Sequence, residues 1–413
     1  MPSSTTSSSS AGSSIKSWFA RHCTPAPAWR GQQTCWCQDC FNKQMGLPKK
    51  SQGSDWPYNH PTRNNNGFSS ETASLNIESE AELDNAILEA LGLNASATTM
   101  RSHGGSGFAS TFKLSTTADG QPTHYFVKTG RGADAEVMFK GEHASLNAIA
   151  DAVPNFCPRA YAHGAMRSAA DTFFLVTDFL ELLGTSSSSS SSSPSLAAKL
   201  AQLHTTPAPI PPGHDSPVFG FPVPTCCGAT AQDNTWCASW PDFYANRRLR
   251  SILRASAENH GKDAALADAV EKVAERVVPR LLGSTTTGAA SRATSRPVVV
   301  HGDLWSGNHA RGRFASRGGG GGGDVEEVVY DPSAVYGHAE YELGIMRMFG
   351  GFGREFWEEY HRLVPKAEPQ DEWEDRVSLY ELYHHLNHFA MFGGGYRGSA
   401  MGIMKRLITK YAG

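Results

Sequence analysis

No stretch of this chain reaches the roughly 18 consecutive apolar residues needed to cross a bilayer, and its N-terminus lacks the apolar core of a secretory signal. An excess of charge of one sign is missing too. With 37 basic and 40 acidic side chains the net charge is -3, which removes the usual electrostatic case for a nucleic-acid partner. Cysteine is sparse, 8 in 413 residues, too few and too scattered for a secreted disulfide framework, so reduced thiols are expected. These absences predict a soluble cytoplasmic protein with neither membrane nor nucleic acid as partner, and they leave its oligomeric state open. One local absence opens an alternative. Residues 1–38 contain Lys16, Arg21 and Arg30 but no Asp or Glu, which suits an organellar transit peptide.

What is present divides the chain unevenly. Ser3 to Ser14 is a serine-threonine tract and Gln52 to Glu80 is polar, so residues 1–82 read as a mostly disordered extension. Within it His22, Cys23, Cys35, Cys37 and Cys40 cluster, and three readings stand: a zinc site of unusual spacing, a targeting segment, or a tail with incidental thiols. A serine run, Ser186 to Ser193, marks an inserted linker over 183–194, and six glycines, Gly318 to Gly323, enlarge a later loop. Neither insertion interrupts a motif. The predicted lobes are therefore 83–182, a twisted sheet with a helix, and 195–413, mainly helical.

The densest chemistry is His301-Gly302-Asp303-Leu304-Trp305-Ser306-Gly307-Asn308, followed by Tyr330-Asp331-Pro332. Phosphoryl transfer leaves the protein little covalent work, so it needs a base for the acceptor hydroxyl and oxygen ligands for magnesium. Asp303 as base, with Asn308 and Asp331 as metal ligands, have that order and spacing. Upstream, Gly104, Gly105 and Gly107 lie between candidate strands Ala97 to Arg101 and Ser110 to Ser115, where backbone could approach phosphate. A strand His124 to Lys128 ends in a lysine, and a helical run Asp134 to Ala152 carries Glu142, a candidate ion-pair partner for Lys128. The apolar segment Asp171 to Leu180 would be the crossover whose Asp178, Phe179 and Leu180 meet adenine.

Beyond this triad, the blocks VHGDLWSGN, YDPSAVYGHAEYELGIMRMFGGF, FGFPVPTCCG, WPDFYANRRL and LYHHLNH closely resemble the fructosamine 3-kinase and ketosamine 3-kinase family over about residues 83–413. The resemblance implies an α+β, bilobal protein-kinase-like fold of the aminoglycoside and choline kinase type. It also implies ATP and Mg2+ as cofactors, and phosphorylation of the 3-hydroxyl of ribulosamine or fructosamine adducts on protein lysines, leading to deglycation. Partners would be glycated proteins or small ketosamines. By the same resemblance Trp305 walls the sugar, while His338, Glu340 and Glu342 brace the helix after the metal loop. Two alternatives stay open: an alcohol phosphotransferase of the aminoglycoside or choline kinase type, and a kinase-like scaffold. The chain departs from the family pattern at Gly107, where members often carry cysteine, and at Phe389 to Arg397, where a polar stretch is expected.

Overall fold

Period-two alternation in Tyr125-Phe126-Val127-Lys128 sends Val127 to one side of a sheet and Lys128 to the other. The computed structural model describes residues 81–104, 109–118, 120–183, 193–283, 296–315 and 324–412. The N-terminal cysteine cluster and transit-peptide candidate, Gly105, Gly107, the glycine run and nearly all of the serine run lie outside them.

Five antiparallel strands form the first layer: β1 (Thr98–Ser102), β2 (Ser110–Ala118), β3 (Gln121–Arg131), β4 (Ala160–Ala165) and β5 (Thr172–Asp178), in the order β1-β2-β3-β5-β4. One face buries Met100, Leu114, Val127, Phe174 and Val176 with Ile87 of a short helix, α1 (Asn85–Leu91). Asp84 caps that helix through the Ala86 N–H and ties it to the β4–β5 turn by accepting from the Arg167 and Ser168 N–H groups. The other face carries Leu175 into a core shared with Phe139, Leu146 and Ile149 of α2 (Ala133–Ala152). Sequence reading ends the lysine strand at Lys128, but β3 runs on to Arg131. Its ladder with β5 continues from Lys128 opposite Leu175 to Arg131 opposite Thr172. Lys128 therefore sits inside a paired strand, which restricts its backbone.

Past Asp178 the chain leaves this sheet. Phe179 leads into β6 (Leu180–Leu183), and a short hairpin of β7 (Thr225–Cys227) and β8 (Thr230–Gln232) follows later in the chain; β6 pairs with β10 (His309–Phe314), itself paired with β11 (Glu326–Val329). The remaining chain is mainly helical. α3 (Leu196–Thr205) buries Leu200 and Leu203. A helix that begins at Trp240 passes through a π-helical stretch, Tyr244–Arg250, into α4 (Ser251–His260), and α5 (Ala264–Lys272) follows. Later come α6 (Glu342–Phe349), α7 (Arg354–Leu363), α8 (Trp373–Phe392) and α9 (Tyr396–Tyr411). α8 is buried around most of its circumference and packs against α4, α6 and α9, so it is the axis of this part. Its Tyr380 hydroxyl accepts from the Trp240 indole at 2.8 Å, satisfying a fully buried donor. The fold is the expected α+β bilobal arrangement, an antiparallel sheet followed by a helical lobe.

Candidate active site

A two-stranded ladder, β9 (Val298–Val300) against β12 (Val335–Gly337), brings two loops side by side. One is His301 to Asn308; the other carries Asp331. Gly302 has φ +80°, and a Cβ there would meet the Ser333 carbonyl oxygen at 2.1 Å, so only glycine fits this approach. The Ser333 N–H donates to the His301 carbonyl and the Tyr330 N–H to that of Asn308, which sets the loops in register. His301 Nε2 lies 3.0 Å from the Tyr330 carbonyl, while its Nδ1 faces the Asp303 N–H at 3.3 Å, an arrangement that suits the Nε2–H tautomer. Glu342, fully buried at the start of α6, accepts from the His301 and Gly302 N–H groups. Glu342 thus braces the loop that carries Asp303 and Asn308. Of its two companions in the motif, Glu340 pairs with buried Arg376 at 2.7 Å, and His338 meets the Tyr380 hydroxyl at 3.0 Å.

The candidate base and metal ligands come together on this platform. The Asn308 amide nitrogen donates to the Asp303 carbonyl at 2.8 Å and approaches the Asp303 carboxylate at 3.4 Å. Burial, then the neighbouring Asp331 and Glu342 carboxylates, hold the Asp303 carboxyl well above the usual range, against the Asn308 hydrogen bond. Asp331 ends the β11 turn with φ +55°, a left-handed conformation uncommon outside glycine. Its side chain is half exposed, and one oxygen meets Lys128 Nζ at 2.5 Å. The same ammonium lies 2.7 Å from Glu142 of α2. Burial alone would lower the Lys128 pKa, but the Asp331 and Glu142 carboxylates outweigh it and raise it. Burial pushes Glu142 up against the pull of Lys128.

The segment expected to meet adenine, Asp178 to Leu180, lies where the chain leaves the five-stranded sheet. The Asp178 carboxylate accepts from the Arg159 N–H at 2.8 Å and the Tyr161 hydroxyl at 2.6 Å, and the Asp178 N–H donates to the Arg159 carbonyl. Its side chain is therefore engaged within the sheet. The Phe179 carbonyl accepts from the Ala315 N–H, and the Phe179 ring packs against His103 with centroids 5.0 Å apart, beside Gly104 at φ +69°. Leu180 opens β6 opposite Phe314.

Partly exposed Trp305, the residue expected at the sugar, packs on Phe349 with ring centroids 5.7 Å apart, and its ring occupies the space a Cβ on Gly307 would need. Sequence reasoning missed Cys227, whose thiol approaches Asp303 Oδ1 at 4.0 Å. It also missed Asn387, which donates to the Cys227 carbonyl at 3.1 Å. Both stand in the quoted TCCG and LYHHLNH blocks, so their block membership was the available signal; spacing to Asp303 was not.

Comparison with known proteins gives this geometry its place. A family model described as Fructosamine kinase matches residues 81–410. A chloroplastic protein-ribulosamine 3-kinase of Oryza sativa subsp. indica is 35% identical over 68% of this chain and 71% of its own length. A ketosamine-3-kinase of Mus musculus is 32% identical over 68% of this chain and 87% of its own. Among solved structures, a protein from Thermobifida fusca designated a fructosamine-3-kinase superposes with a TM-score of 0.58 at 23% identity, over 79% of this chain and 98% of its own, a likeness of fold. The chain belongs to the fructosamine kinase family and is an ATP-dependent phosphotransferase.

Proposed function

We propose that the chain is a ketosamine 3-kinase that transfers the γ-phosphoryl group of ATP to the sugar 3-hydroxyl of ribulosamine or fructosamine adducts on protein lysines. The observation that carries this reading is the meeting of Lys128, Glu142 and Asp331 in one ion cluster, with Asp303 and Asn308 on the adjoining loop, in a chain whose curated relatives are named for that reaction.

Asp303 accepts the proton of the attacking hydroxyl as the new O–P bond forms and the bond to the β-phosphate oxygen breaks, releasing ADP. Lys128, held between two carboxylates, is oriented toward the nucleotide phosphates. Gly104 is the described end of the glycine-rich segment assigned to the phosphates, and Asp178, Phe179 and Leu180 receive the adenine. The donor set fits magnesium: Asn308 turns its amide nitrogen to the Asp303 carbonyl and so frees its oxygen, and Asp331 keeps half its carboxylate exposed. Among the described residues no three His, Cys, Asp or Glu side chains gather as a metal cage, in keeping with an ion that takes much of its shell from phosphate and water. When bound there by Asn308 and Asp331, magnesium supplies charge neutralisation at the phosphate oxygens. Trp305 lines the sugar.

The product explains the deglycation. Enolisation of the C2 ketone toward C1 places the C3 phosphate in an allylic position, its loss leaves an imine, and hydrolysis frees the amine. The test is ribulose-lysine with magnesium ATP, followed by phosphorus NMR and mass spectrometry. Phosphate on C3 and slow release of free lysine are expected; phosphate on another hydroxyl, or transfer only to aminoglycosides, contradicts the reading.

A further inference from the structure

The aromatic side chains of the helical part fall into two groups. Trp240, Tyr244 and Tyr380 are fully buried and form core. A second set is partly exposed and begins at the reacting group: Trp305, two residues from Asp303, packs on Phe349, and Phe349 on His388 at 5.2 Å between centroids. His388 contacts Tyr396 at 5.2 Å and Phe392 at 5.7 Å. Phe392, at the C-terminal end of a helix buried on most sides, is 46% exposed and adjoins the partly exposed His388 and Tyr396 rings. The preceding residue, Met391, returns to the site from the other direction. It packs on Gly228 and its sulfur accepts from the Ala229 N–H at 3.4 Å, immediately after Cys227, which faces Asp303.

We infer that this track is the subsite for the amine and carrier of the acceptor, and that the enzyme selects ketosamines whose amine bears an extended apolar or aromatic body. The inference rests on the ketosamine reading above and deepens it. With the sugar's 3-hydroxyl at Asp303, the amine nitrogen lies three bonds from C3, and the carrier must leave along a surface near the base. The aromatic track starts at Trp305, two residues along the chain from the base, and ends in the exposed ring of Phe392. A ketosamine nitrogen is a secondary amine, cationic at neutral pH, which aromatic faces attract. Burial keeps His388 neutral, pushing its pKa down to about 4, so it sets no opposing charge against that ammonium. Glu381, the carboxylate one turn before His385, is already engaged with His385 and Arg347.

The test compares two acceptors with the same ribulose head, one on phenethylamine and one on ethanolamine, in wild type, Phe392→Ala and Phe392→Tyr. Wild type is expected to favour the phenethylamine adduct in kcat/KM by about tenfold, chiefly through KM, the effect of shielding about one aromatic face from water. Phe392→Ala should shrink that preference to about threefold or less and Phe392→Tyr should keep it. An unaltered melting temperature in Phe392→Ala would exclude misfolding, which its exposure already disfavours. Equal kcat/KM for the two adducts in wild type, or a preference untouched by Phe392→Ala, overturns the inference while leaving ketosamine kinase activity standing. Phosphorylation of neither adduct by protein that binds magnesium ATP overturns the ketosamine reading and the inference together.

Discussion

A single carboxylate, Glu342, illustrates what individual residues contribute. Its two oxygens take the His301 and Gly302 N–H groups, and a buried carboxylate binding backbone N–H groups is worth about 1.5–3 kcal/mol per bond. Replacing it by Gln removes the charge and turns one oxygen into a donor facing an N–H. Glu342→Gln should therefore lower the melting temperature and depress kcat more than the affinity for ATP, because the displaced loop carries Asp303 and not the adenine crossover. Thermal denaturation with single-turnover kinetics checks both; an unchanged melting temperature would remove this role. Sequence reading placed Glu342 as a brace for its own helix. The brace is real, but its target is a loop forty residues upstream, and such a distant pairing leaves no local pattern. By contrast, Asp303, Asn308 and Asp331 could be singled out because phosphoryl transfer demands those residue types in that order, and the structure brings the three onto adjoining loops.

At the scale of elements, the β9–β12 ladder and the loops it joins act as one device. Gly302→Ala would place a methyl group 2.1 Å from the Ser333 carbonyl at a left-handed φ, so the two loops must part. The cost should be at least about 2 kcal/mol, seen as a lower denaturant midpoint with loss of activity. A midpoint within error of wild type would show that the loops are not in register as described. The strand and helix spans near the site were largely readable: the sequence placed α2 over Asp134 to Ala152 and the structure has Ala133–Ala152. The end of β3 was misjudged because pairing with β5, a tertiary contact, decides where that strand stops. For the glycine-run loop, whose flanking strands β10 and β11 pair from His309 opposite Val329 to Gly312 opposite Glu326, deletion of Gly318 to Gly323 should change stability by less than about 1 kcal/mol.

The whole molecule holds several histidines away from water. Burial is the largest influence on His338, whose pKa is pushed down to about 4, and on His301 and His384, which are lowered as well. His338 stays neutral in the folded chain down to about pH 4 while the unfolded chain takes up a proton below about 6.5, and the lowered His301 and His384 act in the same direction. The His338 contribution is thus present above pH 6.5 and is lost as the pH falls toward 4, at about 1.4 kcal/mol per pH unit while it titrates only when unfolded. Denaturation midpoints should fall steeply between pH 6.5 and 4, and His338→Phe should flatten that fall; an identical pH profile in the variant contradicts it. The two-lobed arrangement was legible from the resemblance of the VHGDLWSGN and related blocks to the fructosamine kinase family, which implies that fold. The aromatic axis around Tyr380 was not, because its partners Trp240, Tyr244 and Tyr341 are scattered along the chain and meet only when folded.

The central claim is that Asp303 is the base of an ATP-dependent ketosamine 3-kinase, and one comparison tests it most directly. Wild type and Asp303→Asn are given ribulose-lysine and fructose-lysine with magnesium ATP, and ADP formation is measured beside ATP affinity. The account predicts acceptor-dependent ADP formation in wild type and a loss of about 10²-fold or more in the variant, with ATP affinity kept. Turnover by Asp303→Asn at the wild-type rate would contradict it.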